Sequence, residues 1–175
     1  IIFRILLFKI FNSIETWKQL EYNFEKLTYR EFDVDRYGQV LGEYYDRGEK
    51  LYSGAYIMAS GKTAFCQERK FMNHLLLIDY MMKDHITQKV VRCQSLEKLY
   101  NILLSYPTIG TFLAYQYSID INYSELVDFD EMEFVVAGPG AKAGIRKCFS
   151  NSEEYSLEYI IRYMCEHQQD EFERL

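Results

Sequence analysis

The sequence predicts a mainly α-helical protein, and three observations predict it. Only 2 Pro and 9 Gly occur in 175 residues, which leaves few places to interrupt long regular elements. Apolar side chains recur at helical spacing in several stretches. Residues suited to helix N-termini, such as Asn12, Ser13, Ser95 and Ser152, stand just ahead of those stretches. An alternation of strands and crossover helices is not apparent, so a parallel sheet is not expected.

The elements follow in order. Residues 1–27 read as amphipathic helix, with Phe3, Leu6, Leu7, Ile10, Phe11 and Ile14 at helical spacing. Asn12 or Ser13 is placed to cap a second helix beginning at IETWKQLEYNF. Residues 28–50, rich in Tyr and charge, hold one short helix between loops, and 51–60 read as a close-packed turn ended by Gly61. A long helix is expected over 64–86, with Phe71, Leu75, Ile78 and Met82 on one face. His74 lies beside that stripe and reads as a satisfied core or edge residue, while His85 and His167 read as surface residues at helix ends. Residues 95–106 form a helix capped by Ser95, with Leu96, Leu99 and Leu103 on one stripe. The turn PTIG and a second helix, TFLAYQYSIDINYS, follow. A last helix is expected near 153–168, capped by Ser152, with an acidic, solvated end.

An apolar fraction of 49 % places the chain among globular proteins, and its length suits one domain, 1–175. The net charge of −6 excludes a surface coated in positive charge, but a local basic patch suffices to hold nucleic acid. Cys66, Cys93, Cys148 and Cys165 form no CxxC pair and stand at no ligand spacing from the three histidines, so no metal site is expected. Scattered cysteines of this kind read as reduced and intracellular. The opening IIFRILLFKIFNSI is too short and too charged, at Arg4 and Lys9, to span a membrane. The chain does not begin with Met and is read as a fragment of a longer protein. GxxxxGK[ST], or GxGxxG after a strand, does not occur, so neither a kinase loop nor a cofactor is expected within it.

Two segments carry chemistry. In LEKLYNILLSYPTIGTFLAYQ, a helix is followed by a turn containing Pro107 and Gly110 and then by another helix. Pro107 cannot extend the first helix, and Gly110 is expected to take a backbone conformation closed to other residues. The amides of Thr108, Ile109, Gly110 and Thr111 would then stand free to bind a DNA phosphate. In FDEMEFVVAGPGAKAGIRKCF, the acids Asp130, Glu131 and Glu133 precede a glycine turn and a basic segment. Glu131 and Glu133 alternate in a strand-like run and would face one side. Gly138 and Gly140 could free backbone amides for a phosphate, with Lys142, Arg146 and Lys147 adding charge.

YPTIGTFLAYQ resembles the helix-hairpin-helix of the base-excision DNA glycosylases, whose turn reads Pro-Gly-aliphatic-Gly, with Thr108 here replacing the first glycine. In that superfamily a catalytic aspartate lies about twenty residues beyond the last hairpin glycine. Counting from Gly110, that window holds Asp130 and Glu131. Strand-cutting members carry Lys two residues after that glycine, where this chain has Phe112, so the resemblance implies no lyase step. FRILLFKIFNSIETW, SGAYIM, PTIGTFLAYQYSIDINYS and FDEMEFVVAGPGAKAGIRKCF together resemble a second family. This is the α-glutamyl/putrescinyl thymine pyrophosphorylase family, also described as the helical domain associated with 5-hydroxymethyluracil DNA kinases.

The second resemblance implies a glycosylase-like helical fold acting on DNA that carries modified pyrimidines, as in phages, with a kinase domain as a possible partner. It puts the catalytic acid at Glu131, with Asp130 the choice on glycosylase spacing and Glu133 beside them. Trp17, Tyr56, Tyr115 and Gln116 fall in its motifs and are candidates to line the pocket for a flipped base. Two reactions suit such an acid. As a general base it would deprotonate an amine donor that displaces pyrophosphate from the modified base. Alternatively it would support hydrolysis at the sugar C1′, as a monofunctional glycosylase does. A non-catalytic DNA-binding module is the third reading.

Overall fold

The computed structural model describes residues 1–54 and 58–174. The chain is helical as expected, and among the described residues there is no strand. It divides into two compact units, Ile1–Asp128 and Phe129–Leu175.

In the first unit the apolar N-terminal run forms two helices, α1 (Ile2–Phe11) and α2 (Ile14–Asn23). Asn12 ends α1 in a left-handed conformation (φ 48°, ψ 36°), and the Ser13 hydroxyl accepts a hydrogen bond from the Thr16 amide at 3.2 Å to start α2. This is the break expected from the side chains, because both signals are local. The Tyr29–Glu31 turn leads to α3 (Val34–Asp46), whose Asp33 cap accepts from the Arg36 amide at 2.8 Å. At thirteen residues, α3 is longer than the short helix expected in 28–50.

The expected helix over 64–86 is not continuous. It resolves into α4 (Lys62–Phe65), a break, and α5 (Lys70–Lys83). Cys66 turns left-handed (φ 58°), and a tertiary hydrogen bond from Gln67 to Asn73 holds the break. Apolar spacing carries no record of either. A short helix not anticipated, α6 (Ile86–Val91), follows a left-handed His85 (φ 58°). Then come α7 (Leu96–Leu104), capped by Ser95 as expected, and α8 (Thr111–Asn122).

The core of this unit is built where α1 lies against α5 and α8, α2 against α3, and α7 against α8. Leu6, Leu7, Ile10, Leu75, Ile78, Leu99, Leu103 and Ile121 are fully buried in it. Each such side chain contributes about 1.5–3 kcal/mol relative to exposure. Gly38 lets α3 approach α5, since a Cβ there would fall 2.4 Å from the Met72 sulfur. Lys9 on α1, almost entirely buried, pairs with Asp120 on α8 at 2.7 Å. Removing either partner would leave the other uncompensated, which costs more than the pair itself contributes.

Tyr37 supplies a stability test. Its ring stacks on Phe24 (centroids 4.0 Å apart) and meets Phe32 edge-on, while its fully buried hydroxyl has no hydrogen-bond partner among the described residues. Burial pushes that hydroxyl's pKa up to about 12, so it stays neutral. Tyr37→Phe keeps the ring contacts and removes the orphaned group. It is expected to raise stability by about 1 kcal/mol, read as a higher urea midpoint at unchanged slope.

In the second unit the acids lie in a turn and not in a strand, so the expected alternation of Glu131 and Glu133 does not occur. The Asp130 carboxylate accepts from the Met132 amide at 2.8 Å, and the Glu133 amide donates to the Asp130 carbonyl at 3.2 Å. A short polar side chain that captures an amide two residues on curls the backbone locally. Helix α9 (Pro139–Cys148) follows, with Gly138 as its cap residue and Pro139 at its first turn. The last helix, α10 (Leu157–Glu173), starts later than expected. Ser156, not Ser152, caps it, accepting from the Tyr159 amide at 3.1 Å, while Ser152 opens a single tight turn. This start puts Ile160 into the buried side of α10.

Candidate functional site

The hairpin residues belong to the first unit. Helix α7 ends at Leu104, and the chain passes through buried Tyr106, half-buried Pro107 and Thr108 and buried Ile109 to exposed Gly110 and Thr111. The Tyr106 hydroxyl donates to Asp84 at 2.8 Å, anchoring the turn to the end of α5, and burial with this bond raises its pKa. Gly110 is the cap residue of α8 and supplies no side-chain cap. The Thr111 amide therefore opens the helix at the positive end of its dipole. This is the arrangement that holds a phosphate.

The backbone differs from expectation in one respect. Gly110 is extended (φ −85°, ψ 175°), and Thr108 is the left-handed residue (φ 68°). The strained position is the one where the resembling turn has its first glycine. The Thr108 hydroxyl is buried and unpartnered among the described residues. A β-branched residue at positive φ stores about 1–3 kcal/mol of strain. Thr108→Gly is thus expected to stabilise the chain by about 1 kcal/mol after the glycine's unfolded-state entropy is counted, seen as a raised melting temperature.

The pocket candidates are distributed as follows. Trp17 on α2 is half-buried, packs edge-on against Phe8 at 5.6 Å and has the Arg4 guanidinium 4.9 Å from its ring centre. One face of that indole is thus already occupied. Tyr115 and Gln116 are half-buried on α8. Tyr56 lies outside the described residues.

The acids and the basic helix belong to the second unit. Asp130 and Glu133 are exposed, and Glu131 is half-buried. The Arg162 side chain of α10 donates to the Glu133 carbonyl at 2.9 Å and braces the acidic turn from the side. Gly140, Lys142, Arg146 and Lys147 are exposed on α9. Only Lys142 accompanies the free amides at the helix start. Arg146 and Lys147 occupy the last turn, roughly 6 Å or more further along the axis, where they offset the negative end of the dipole. The three cations therefore do not form a single grip around the Gly-Pro-Gly segment.

Two constellations were not anticipated as sites. Buried His74 bonds Tyr52 through Nδ1 (2.9 Å) and the Ala59 carbonyl through Nε2 (2.8 Å). Because the carbonyl can only accept, Nε2 carries the proton and Nδ1 accepts from the tyrosine hydroxyl. Burial holds the His74 pKa down at about 4 and raises that of Tyr52, so both are neutral at physiological pH. With Asn73 beside it, this pair fastens the segment before α5 and has a structural role. Tyr155, just ahead of α10, and Tyr159, Tyr163 and His167 on it form a file of near-parallel rings. Their spacing of four was legible in YSLEYIIRYMCEH, but the segment read only as the last helix, near 153–168, with a solvated end from Cys165 on.

Among the described residues, no group of three or more His, Cys, Asp or Glu side chains could hold a metal ion, and the four cysteines are free. Nor is any helix of these residues long and apolar enough to cross a membrane. Neither a curated protein nor a solved structure matches the chain. Over residues 1–175 the chain matches the family described as 5-hmdU DNA kinase, helical domain, and it belongs to that family.

Proposed function

We propose that the chain is the DNA-holding domain of an enzyme system that modifies 5-hydroxymethyluracil in DNA, working beside a kinase domain. The observation that carries this reading is the α7–α8 hairpin. Its turn is anchored by Tyr106 and leaves Gly110 and Thr111 exposed at an α8 start without a side-chain cap. An anionic DNA backbone completes such an end with no rearrangement. The exposed start of α9, with Gly140 and Lys142, offers a second phosphate contact.

Anisotropy titrations against duplex DNA containing 5-hydroxymethyluracil test the reading. Binding should weaken as salt rises, with a slope of roughly −0.9 per phosphate contacted. Thr111→Glu, which puts a carboxylate at the α8 start, should weaken binding at least tenfold and leave the melting temperature intact. An absence of DNA binding at low salt would defeat the reading.

A second reading, catalysis by the domain itself, is favoured by the half-burial of Glu131 beside exposed Asp130 and Glu133. In it Glu131 is the general base for an amine that displaces pyrophosphate from the activated methylene of the base. Incubating the chain with pyrophosphorylated DNA and an amine donor separates the outcomes. Pyrophosphate release with a new adduct supports the transferase, and free base with an abasic site supports a glycosylase. Binding without turnover leaves the DNA-holding role alone.

A further inference from the structure

Helix α1 buries seven of its ten residues. The three that remain, Arg4, Ile5 and Phe8, fall on one face, and two of them are apolar where a surface helix ordinarily carries charge. Helix α2 adds to the same surface. Phe8 meets Trp17 edge-on with centroids 5.6 Å apart, and the Arg4 guanidinium stands 4.9 Å from the indole centre. Ile14 lies one helical turn ahead of Trp17. Ile14 is 59 % exposed and Phe8 38 %. The cluster is thus contiguous across two helices, unlike an apolar side chain scattered singly on a surface. An indole with an arginine stacked on it and apolar neighbours has the composition of the centre of a protein interface.

The charges around this patch narrow what covers it. Helices α1 and α2 expose four charged residues, Arg4, Lys18, Glu15 and Glu21, while Lys9 is buried against Asp120. Among the described residues none of the four has an ion-pair partner, and Glu15 accepts only from the Ser13 hydroxyl, at 3.3 Å. Two cations and two anions sum to zero, on a chain whose net charge is −6. A phosphate-bearing surface would meet as many anions as cations there. A strongly acidic or basic protein would find no excess charge to hold it. A second copy of the chain fits both features. A two-fold axis sets the patch against its own image, apolar centre on apolar centre, and lets the cations of one rim face the anions of the other. Two chains of equal net charge also repel least where they meet through a neutral face.

We propose that this patch is a two-fold interface between copies of the chain, with Phe8, Ile14 and Trp17 at its centre and Arg4, Lys18, Glu15 and Glu21 at its rim. The inference is independent of the DNA-holding reading, which uses the starts of α8 and α9. It gives Trp17 a task other than lining a base pocket.

Trp17 is the single tryptophan of the chain, so its emission reports on the patch alone. In a concentration series of the full chain, sedimentation equilibrium should show the mass rising from one copy to two. Over the same range Trp17 emission should move to the blue and become shielded from acrylamide. Ile14→Glu replaces an exposed side chain in the first turn of α2, where an acid suits the helix dipole. It should leave the circular-dichroism spectrum unchanged and weaken pairing at least tenfold. A chain with an all-acidic rim, Arg4→Glu with Lys18→Glu, and one with an all-basic rim, Glu15→Lys with Glu21→Lys, should each be monomeric alone and pair when mixed. A parent chain that stays monomeric at every concentration would overturn the proposal. So would a dimer that leaves the quenching of Trp17 unchanged, an Ile14→Glu chain that pairs as the parent does, or rim variants that do not pair on mixing. A monomeric parent whose Trp17 is shielded only when duplex DNA is added would assign the patch to nucleic acid and overturn it too.

Discussion

Asn73→Ala is expected to destabilise the first unit by about 3 kcal/mol. Asn73 is buried on the first turns of α5 and uses its whole amide. Its Oδ1 accepts from the Gln67 amide at 2.9 Å, and its Nδ2 donates to the carbonyls of Gln67 at 2.9 Å and Ser60 at 3.0 Å. These three backbone groups lie on the chain on either side of α4, where no regular element satisfies them. Truncation removes all three bonds, and since Ser60 and Gln67 are exposed the loss is that of three net hydrogen bonds, about 0.5–1.5 kcal/mol each. The space is also closely matched: a Cβ on Gly61 would fall 2.9 Å from the Asn73 Cβ, and Gly61 sits at φ 71°. Urea unfolding of parent and variant measures the effect. A loss below about 1 kcal/mol would show that the segment before α5 is held by other contacts. Asn73→Asp distinguishes the bonds, because it keeps the acceptor and turns the donor into an oxygen facing two carbonyls. It should be nearly as damaging as alanine.

The second large effect is a loss of stability on acidification. The His74 pKa is held at about 4 by burial, with Lys70 adding to the depression, against 6.5 for the free side chain. The unfolded chain therefore binds a proton between these values that the folded chain refuses. The contribution is fully present above pH 6.5, falls as pH drops through the window to about 4, and changes no further below it. A shift of that size corresponds to about 3 kcal/mol. Protonation would also place a second donor at Nδ1 against the Tyr52 hydroxyl, below the Lys70 ammonium that stands 4.8 Å over the Tyr52 ring. Denaturant midpoints at pH 7 and pH 4.5 should differ by most of this amount in the parent chain. In His74→Gln, which cannot titrate, the difference should shrink to what the carboxylates contribute. An equal pH dependence in both proteins would remove His74 as its source.

Much of the architecture was legible because its causes are local. Ser13, Asp33 and Ser95 each bond an amide three residues on. That bond needs only the cap residue and the following turn, so Ser95 could be read directly from its surroundings and the cap of α2 narrowed to Asn12 or Ser13. The α7–α8 hairpin was readable for the same reason: Pro107 ends one periodic stretch and Gly110 begins another. Local rules misplaced the start of the last helix. Ser152 was expected as its cap, and the helix starts instead at Ser156, the register in which Ile160 is buried.

The candidate site was less legible than the fold. The acids Asp130, Glu131 and Glu133 were located by resemblance and spacing, yet their geometry is a turn, because Asp130 captures the Met132 amide before a strand can form. Thr108 was passed over as the strained residue, since glycine is the usual occupant of positive φ and Gly110 stood two positions away. The tyrosine file was visible as a spacing of four, but spacing does not say whether a ring is buried or exposed.

The sequence alone determined that this chain is helical, where most of its helices begin, and that a hairpin turn sits at residues 107–110, since capping, periodicity and proline act within one turn of the backbone. Tertiary structure decided the break ahead of α5, the neutral state of His74, the strain at Thr108 and the exposure of the α10 rings. Each of these depends on partners or burial contributed by residues distant in the chain, and pairwise distances across a folded core are not encoded in any local pattern.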